Sequence, residues 1–382
     1  MEVFERLIEK MAELEKTSEH KAYYYRVSDS LTIMICGMLS SLQNISDIYD
    51  WAQEEPVREF FYEQFGIYKL PSRAQFYNLI GCVKPEKFTE VFVEWVSEIV
   101  QSENKDKTIA IDGKTICSTD QRTKDGQPLH ILSAIVSESK LIIGSLPCDS
   151  KISEPKIFRK LVDILDISGA MLVADALHCQ KESAAKVVAE GGDYLFVVKE
   201  NQPTLHDEIE MYFQNEETES HSQTEKNGGR IEKRTAFVST DIDWLTGKKD
   251  WKSLTVIGAI HTEFLKGESK SSEWHYYISS RKMTAQELLR HARLEWAVES
   301  MHWLLDVHFL EDKTKVWDMN VQQNLNIMRK IALNLARIYK DRYVPRTSIS
   351  GVLKRNLYNI SNLANFINIF LAFIDVTFLL RN

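Results

Sequence analysis

The sequence predicts a mixed α/β protein in which a helical N-terminal region precedes a strand-rich core. Apolar residues recur at helical spacing through about the first 100 residues, as in "SDSLTIMICGMLSSL". Near residue 107 the apolar period changes from 3.6 to 2, which is typical of β-strands. From about residue 281 the helical period returns. We therefore expect a helical domain over 1–100, a core that begins at 105, and core helices over 281–345.

The N-terminal helices are predicted by start signals as well as by period. Ser72 precedes the apolar-periodic run "RAQFYNLIGCV", and a serine in that position caps the first turn of a helix. The segment "KPEKFTEVFVEWVSEIV" has the pattern of a further amphipathic helix. The polar run "QSENKDK" that follows, over 101–107, predicts a linker.

The core begins with three successive strands and then alternates helices with strands. A helix with Ser153 as its cap and Pro155 in its first turn separates the third strand from the fourth. Over 105–214 the order is strand, strand, strand, helix, strand, helix, strand, which is the order of a ribonuclease H-like domain. In that topology the first and fourth strands lie side by side and in parallel. The five predicted strands are "TIAIDGK", "LHILSAIVS", "KLIIGSLPC", "MLVADAL" and "DYLFVVK".

Residues 215–280 interrupt this core and predict a β-rich insertion. The segment "NEETESHSQTEKNGG" is polar and predicts a loop, whereas "RIEKRTAFVST", "LTVIGAIHTEF" and "EWHYYISSR" alternate like antiparallel strands. Helix returns at a capping box formed by Thr284 and Glu287, and one long helix is expected from there. The tail, 346–382, holds an apolar stretch from Leu363 to Leu380 that contains polar residues. It predicts a docked amphipathic helix rather than a membrane span.

Composition and charge narrow the classes of function. The chain has 382 residues, of which 44% are hydrophobic and 27% charged, as in ordinary globular proteins of the cytoplasm. Its five cysteines form no C-x-x-C pair, which argues against a zinc site or a disulfide framework. The net charge of −8 argues against a protein that binds nucleic acid over its whole surface. Residues 281–382 nevertheless carry 15 basic and 9 acidic side chains, so a polyanion is expected there or at local patches.

Three carboxylates are candidates for chemistry. Asp112 lies in "TIAIDGKTI", where Asp-Gly signals a hairpin turn, so it is either a turn former or a catalytic group. Asp175 ends the strand "MLVAD", either as a cap or as a functional group at the strand edge where α/β proteins bind ligands. Glu299 lies at the boundary between an apolar and a polar helix face. It is either a catalytic group or a structural glutamate that pairs with an arginine such as Arg293.

Together the three acids predict a metal site. Oxygen donors at a strand edge suit Mg²⁺ or Mn²⁺. Two such ions could activate a water or a 3′-hydroxyl and stabilise the leaving oxygen of a phosphodiester.

Seven motifs occur in an order that resembles the DDE transposases of the ISAs-one insertion-sequence family, also called H-repeat-associated proteins. The resemblance runs from about residue 10 to about residue 345, and includes the helical segment "GIYKLPSRAQFYNLIGCVKPEKF". The motifs are "AIDGKTI", "VADALHCQK", "FVVKENQPTL", "GGRIEKR", "DIDWL", "EWHYYISS" and "LEWAVESMHWLLDVHFLEDKTK".

The resemblance implies that Asp112, Asp175 and Glu299 form the catalytic, metal-binding triad. It implies a Mg²⁺- or Mn²⁺-dependent enzyme that holds two ions. The expected partners are transposon ends, target DNA and a second copy of the chain in a homodimer; no membrane partner is expected. A ribonuclease H-fold nuclease or resolvase, or a non-catalytic DNA-binding descendant, is the alternative. Glu295 and Ser300 stand where the family has His and Asn, which removes two side chains that could contact the transposon end.

Eight further residues are candidates for DNA contact, each with a structural alternative such as a turn, a cap network or an exposed strand charge. Trp296 and Trp303 are expected in the core rather than as base-stacking platforms. His302 is expected to be a structural histidine near Glu299. The eight candidates are Lys114, His178, Gln180, Lys199, Asn201, Gln202, Arg230 and Arg234.

Overall fold

The computed structural model describes most of the chain, and the structural statements below refer to that part. The predicted linker and the end of the C-terminal apolar stretch lie mostly outside it. The described residues are 3–16, 25–100, 106–117, 119, 128–148, 153–227, 229–267, 269–313 and 316–371.

The described chain forms α-helices at both ends and a strand-rich middle. The helices are α1 (Val3–Glu13), α2 (Val27–Leu39), α3 (Ile45–Gln53), α4 (Glu55–Phe65), α5 (Arg73–Gly81), α6 (Pro85–Val100), α7 (Glu154–Ile164), α8 (Lys181–Ala189), α9 (Pro203–Asn215), α10 (Ala285–Leu294), α11 (Ala297–His308), α12 (Met319–Tyr343), α13 (Ile349–Tyr358) and α14 (Ile360–Leu371). The strands are β1 (Thr108–Ile116), β2 (Leu129–Val136), β3 (Leu141–Cys148), β4 (Met171–Ala174), β5 (Asp193–Val198), β6 (Glu219–Asn227), β7 (Arg230–Ser239), β8 (Val256–Lys266) and β9 (Ser269–Ser279).

The strands form one mixed sheet of nine, in the order β3-β2-β1-β4-β5-β9-β8-β7-β6. As the sequence predicted, β1 lies beside β4 and parallel to it, and β4 is parallel to β5. Both β4 and β5 are buried almost throughout, which explains their continuous apolar runs. The carboxyl ends of these three parallel strands therefore meet at one edge of the sheet.

The predicted β-rich insertion continues this sheet. Strand β9 pairs with β5, so β6 to β9 extend the core sheet. The polar segment predicted as a loop contains β6, and that prediction was wrong. Strand β6 is the outermost strand and pairs only with β7 among the described residues. It therefore has little apolar surface to bury and lacks the alternation that identifies a strand.

The helix predicted from Thr284 is interrupted. The capping box of Thr284 and Glu287 forms as predicted, but α10 ends at Leu294 and α11 begins at Ala297. Glu295 and Trp296 lie at the break between the two helices. The break changes which residues share a face, so residues before Glu295 do not keep the facing that one continuous helix would give them relative to Glu299.

The helical region is built from both ends of the chain. Helix α12 packs on α2, α5 and α6, while α13 packs on α2 and α14 packs on α1 and α4. Buried asparagines fix these contacts: Asn324 donates to the carbonyl oxygens of Ile80 and Val83 at 2.9 Å, and Asn356 donates to that of Leu39 at 3.0 Å. None of the described helices is long and apolar enough to cross a membrane.

Candidate active site

Asp112, Asp175 and Glu299 line one open cavity of about 500 Å³ at the carboxyl edge of the parallel strands. Asp112 lies within β1, opposite Ser133 of β2. Asp175 directly follows β4, and its carboxylate accepts a hydrogen bond from the backbone N–H of Leu177 at 2.9 Å. Glu299 lies in the first turn of α11. The sheet therefore holds the two aspartates side by side, and a helix that packs on β1 and β2 supplies the glutamate.

A fourth acid, Glu295, lines the same cavity from the break between α10 and α11. Burial raises its pKa to about 7, and the charges of Asp175, Asp112 and Glu299 add to that rise. Burial also raises the pKa of Asp112 to about 6. A hydrogen bond from the backbone of Gly113 lowers this pKa, whereas the charge of Asp175 raises it further. Sequence reasoning placed Glu295 beside Glu299 on one helix and noted it as a replacement for His, but did not predict it as a site residue.

These acids suit a divalent cation. Their oxygens are the donors that Mg²⁺ and Mn²⁺ prefer, and their mutual repulsion is the cost that a bound cation would remove. Among the described residues, three ligand atoms converge within 4.8 Å of one another only in His206, Asp207 and Glu210 of α9. The three carboxylates of Asp112, Asp175 and Glu299 do not all lie within that distance of one another. Glu299 is exposed, so its side chain can rotate towards the aspartates.

Basic side chains line the same cavity as the acids. Lys199, at the end of β5, is exposed and lines the cavity, as predicted for a residue at this edge. Arg230 pairs with Glu232 and lies 4.8 Å from the ring centre of Phe264, with part of its side chain exposed. Both cations can reach a phosphate that enters the cavity.

Arg234 is a poor candidate for DNA contact. Only 5% of it is exposed, and its guanidinium pairs with Glu232 and with Glu225, the latter at 3.2 Å. It also lies 5.2 Å from the ring centre of Trp296. Arg234 lines the cavity, but its guanidinium is already paired with two acids, so it holds the cavity wall in place.

Lys114 is likewise occupied. Its ammonium group pairs with Asp306 of α11 and with Glu311 at 2.9 Å, and Asp312 lies at 3.7 Å. The side chain is 14% exposed. Lys114 therefore ties β1 to the end of α11, and the prediction that it contacts DNA loses its support.

Four of the predicted DNA ligands instead brace the turn after β4. Nε2 of His178 lies 3.0 Å from Glu154, and the ring is fully buried against Phe158. The amides of Gln180, Asn201 and Gln202 donate to the carbonyl oxygens of Leu177, Ala176 and Cys179, respectively. This network orders the turn that carries Asp175, so the cap-network alternative describes these residues better than DNA contact does.

Glu154 is the centre of that bracing network. It is buried and lies 2.7 Å from Nε2 of His130, which in turn bonds Thr115 through Nδ1. Burial pushes the pKa of Glu154 upward, but the two histidines outweigh it and hold the pKa at about 2. Ser153, expected as the helix cap, makes no capping bond with its side chain. Sequence reasoning missed Glu154 because its partners lie 24 residues away on either side.

Replacing Gly113 with alanine is expected to destabilise the fold. A Cβ at Gly113 would lie 2.6 Å from Nε2 of His130 and 2.7 Å from the carboxylate of Glu154. Forcing a methyl group into such a packed site costs about 1–3 kcal/mol. Urea unfolding should show the loss, and the cost should shrink in a His130→Ala background. A Gly113→Ala protein as stable as wild type would contradict the close approach.

The two tryptophans beside Glu299 are exposed, contrary to the expectation that they lie in the core. Trp296 is 51% exposed and Trp303 is 57% exposed. His302 is more buried, and its Nδ1 lies 3.6 Å from a carboxylate oxygen of Asp112. Burial lowers the pKa of His302 to about 4, so a neutral imidazole flanks the acids near neutral pH.

Comparisons with known proteins agree with the resemblance read from the motifs. Residues 103–335 match the family described as "Transposase DDE domain", and residues 8–96 match the family described as "DDE_Tnp_1-associated". The "H repeat-associated putative transposase YhhI" of Escherichia coli K12 is 32% identical over 324 residues, which cover 81% of this chain and 85% of that protein. The "Putative transposase YncI" of Escherichia coli O157:H7 is 30% identical over 343 residues, covering 87% of this chain and 85% of that protein.

One solved structure resembles the chain distantly. It is the "Cryo-EM structure of piggyBac transposase synaptic complex with hairpin DNA (SNHP)", with 12% sequence identity and a TM-score of 0.47. The match covers 98% of this chain and 80% of that chain.

Proposed function

The chain belongs to the DDE transposase family of insertion sequences, and on that premise we propose that it cuts DNA at the ends of its own mobile element and joins the ends to target DNA. The observation that carries the proposal is that Asp112, Asp175 and Glu299 line a single cavity. These are the residues that the family motifs assign to the triad. Their placement on two central parallel strands and one helix also supports a ribonuclease H-like core over 105–214.

We propose that Asp112, Asp175 and Glu299 hold two Mg²⁺ ions, with Mn²⁺ as a substitute. Such ions lower the pKa of a bound water or hydroxyl and stabilise charge on the phosphate during an in-line displacement. Enzymes of this family use divalent metal ions in general. The all-oxygen donor set, with raised pKa values on Asp112 and Glu295, fits such ions.

The chain's own residues then orient the substrate. Lys199 and Arg230, which line the same cavity as the acids, bind phosphates of the strand and fix its register. The network around Glu154 keeps the turn of Asp175 in place, and Lys114 keeps α11 against β1. Catalysis of phosphoryl transfer depends largely on positioning and electrostatics, so these fixed elements contribute to catalysis by holding the acids in place.

Two ends must be joined in one event, so we propose that the active form is at least a homodimer on DNA. The positive C-terminal third of the chain supports binding of a polyanion despite the overall charge of −8.

Strand transfer is tested with pre-cleaved ends taken from the DNA that flanks the gene. The protein is incubated with labelled ends, a plasmid target and Mn²⁺, and products are separated on a denaturing gel. Joined products are expected. Cleavage without joining would instead identify a ribonuclease H-fold nuclease or resolvase. DNA binding without cleavage or joining would identify a non-catalytic descendant of a transposase.

A further inference from the structure

His302 of α11 lies against Asp112, one of the candidate metal ligands. Its Nδ1 lies 3.6 Å from a carboxylate oxygen of Asp112, and only 13% of the histidine side chain is exposed. Side chains that hydrogen-bond a metal-binding carboxylate fix its direction and raise the affinity for the ion. A buried histidine in this place is therefore a candidate to orient Asp112.

The packing of α11 along β1 explains how His302 reaches Asp112. On β1, Asp112 and Lys114 are two residues apart, so their side chains share a face and lie about 6.6 Å apart along the strand. On α11, His302 and Asp306 are four residues apart, so they share a face and lie about 6 Å apart along the axis. Lys114 pairs with Asp306. Because the two spacings match, this ion pair also holds His302 next to Asp112.

The other ring nitrogen of His302 faces a different environment. Nε2 is buried and has no hydrogen-bond partner among the described residues. His302 also lines a small cavity of about 10 Å³, together with polar side chains that include Ser133, Glu311, Asn326 and Lys330. This volume is about the smallest that holds one water molecule, and a buried water needs about two to four polar partners. The cavity offers enough polar groups for one such water.

The groups on the two sides of the ring decide which nitrogen carries the proton. Burial lowers the pKa of His302 to about 4, so the imidazole is neutral near neutral pH. A neutral imidazole has one N–H and one acceptor nitrogen. An ionised carboxylate only accepts hydrogen bonds, so Asp112 favours the proton on Nδ1. Nε2 is then an acceptor that needs a donor from the side of the small cavity.

We propose that His302 is a positioning residue whose Nδ1–H donates to the carboxylate of Asp112 and turns that carboxylate towards the metal ions. A water in the small cavity donates to Nε2 and keeps the proton on Nδ1. The inference rests on the proposed function, because it takes Asp112 to be a metal ligand. The 3.6 Å separation exceeds a hydrogen bond, but a small rotation of the Asp112 side chain, which is 37% exposed, closes it.

His302 does not serve as the acid or base of the reaction. A proton donor or acceptor must lie within hydrogen-bond distance of the reacting group. Within the part of the chain that the structure describes, Asp112 lines the catalytic cavity and His302 does not. Its Nδ1 lies beside Asp112 and its Nε2 is buried, so the imidazole acts on the substrate only through Asp112.

The tautomer is tested in protein without metal or DNA. Two-bond proton–nitrogen NMR spectra of protein with ¹⁵N-labelled histidine distinguish a protonated ring nitrogen from a bare one. The chain has ten histidines, and the signals that disappear in His302→Asn belong to His302. The proton is expected on Nδ1, whereas neutral histidine in water carries it mainly on Nε2. A proton on Nε2 of His302 would overturn the inference.

Binding of Mn²⁺, measured without DNA from the EPR signal of the free ion, tests the effect on Asp112. His302→Gln puts its amide group near the place of Nε2 and leaves Asp112 without a donor, so the affinity should fall about 10- to 100-fold. His302→Asn puts an amide N–H near the place of Nδ1 and should recover most of the affinity. Equal affinities in wild type and His302→Gln would mean that the histidine is only structural.

His291→Gln is the matched control. His291 is 4% exposed, and its Nδ1 lies 2.8 Å from the hydroxyl oxygen of Thr108, so it is a buried histidine that also contacts β1. The substitution should lower the free energy of unfolding and leave the Mn²⁺ affinity unchanged. If His291→Gln weakens Mn²⁺ binding as much as His302→Gln does, the effect comes from lost stability and the inference fails.

The inference and the proposed function fail in different ways. Asp112→Asn should lose most of the Mn²⁺ affinity. If Asp112→Asn binds Mn²⁺ as wild type does, the proposed triad fails, whatever the histidine variants show. If Asp112→Asn loses binding and His302→Gln does not, the triad stands and His302 does not position it.

Discussion

Asp175→Asn is expected to reduce metal-dependent cleavage of the element's ends by at least about a thousandfold. The loss of one carboxylate ligand removes several kcal/mol of transition-state stabilisation, and each 1.36 kcal/mol corresponds to a factor of ten in rate. Asparagine keeps an oxygen that can accept the hydrogen bond from the N–H of Leu177, so the turn after β4 should survive. The measurement is the single-turnover rate of cleavage at saturating Mg²⁺, with unfolding followed in parallel.

Asp166→Asn is the matched control for this substitution. Asp166 also accepts a hydrogen bond from the backbone N–H two residues ahead, at 3.2 Å, but it precedes β4 and so lies at the opposite end of that strand. Asp166→Asn should cleave at nearly the wild-type rate. Wild-type cleavage by Asp175→Asn would mean that Asp175 is only a cap, the alternative that its position in the sequence left open.

Lys114→Met is expected to lower the free energy of unfolding by about 3 kcal/mol, since breaking a buried ion pair leaves Glu311 with less positive charge around it. Glu311 is 2% exposed and would lose the ammonium group that faces it. Burial pushes the pKa of Glu311 upward, but Lys114 and Lys330 outweigh burial and hold the pKa below its ordinary value. The pair therefore stabilises the fold above the pKa that Glu311 has when unfolded. That contribution is lost as the pH falls through the lower pKa of the folded state.

Urea unfolding at pH 7 measures this loss, with the m-value checked for a change in the denatured state. Lys87→Met is the control, because Lys87 pairs with Glu90 on the exposed face of α6, where ion pairs contribute less than about 1 kcal/mol. Equal stability losses in the two variants would show that the buried network does not stabilise the fold.

Where local pattern determines structure, the sequence was sufficient. The change of period near residue 107 identified the core, and the strand order correctly predicted that β1 lies beside β4. That adjacency explains why Asp112 and Asp175, 63 residues apart in sequence, reach one cavity. Strand β6 was missed because an edge strand with two polar faces has no apolar alternation.

Side-chain partners that are distant in sequence could not be predicted. Lys114 meets Asp306 and Glu311 from 192 and 197 residues away, so no local signal separates a lysine that binds DNA from one held in an ion pair. Arg234 has acids within nine residues, yet the sequence does not show that Glu225 and Glu232 both pair with its guanidinium. The exposure of Trp296 and Trp303 follows from the break between α10 and α11, which the regular helical period concealed.

The packing of α12 against α2, α5 and α6 has a consequence for synthesis of the protein. The N-terminal helices leave the ribosome first, but part of their apolar surface is covered only by α12 to α14. About 220 residues separate α6 from α12. At translation rates of about 5–20 residues per second, roughly 10–45 s pass between the synthesis of α6 and the start of α12. During that interval the uncovered apolar surface of the N-terminal helices is available to chaperones. A truncated chain that ends before α12 leaves that surface permanently uncovered.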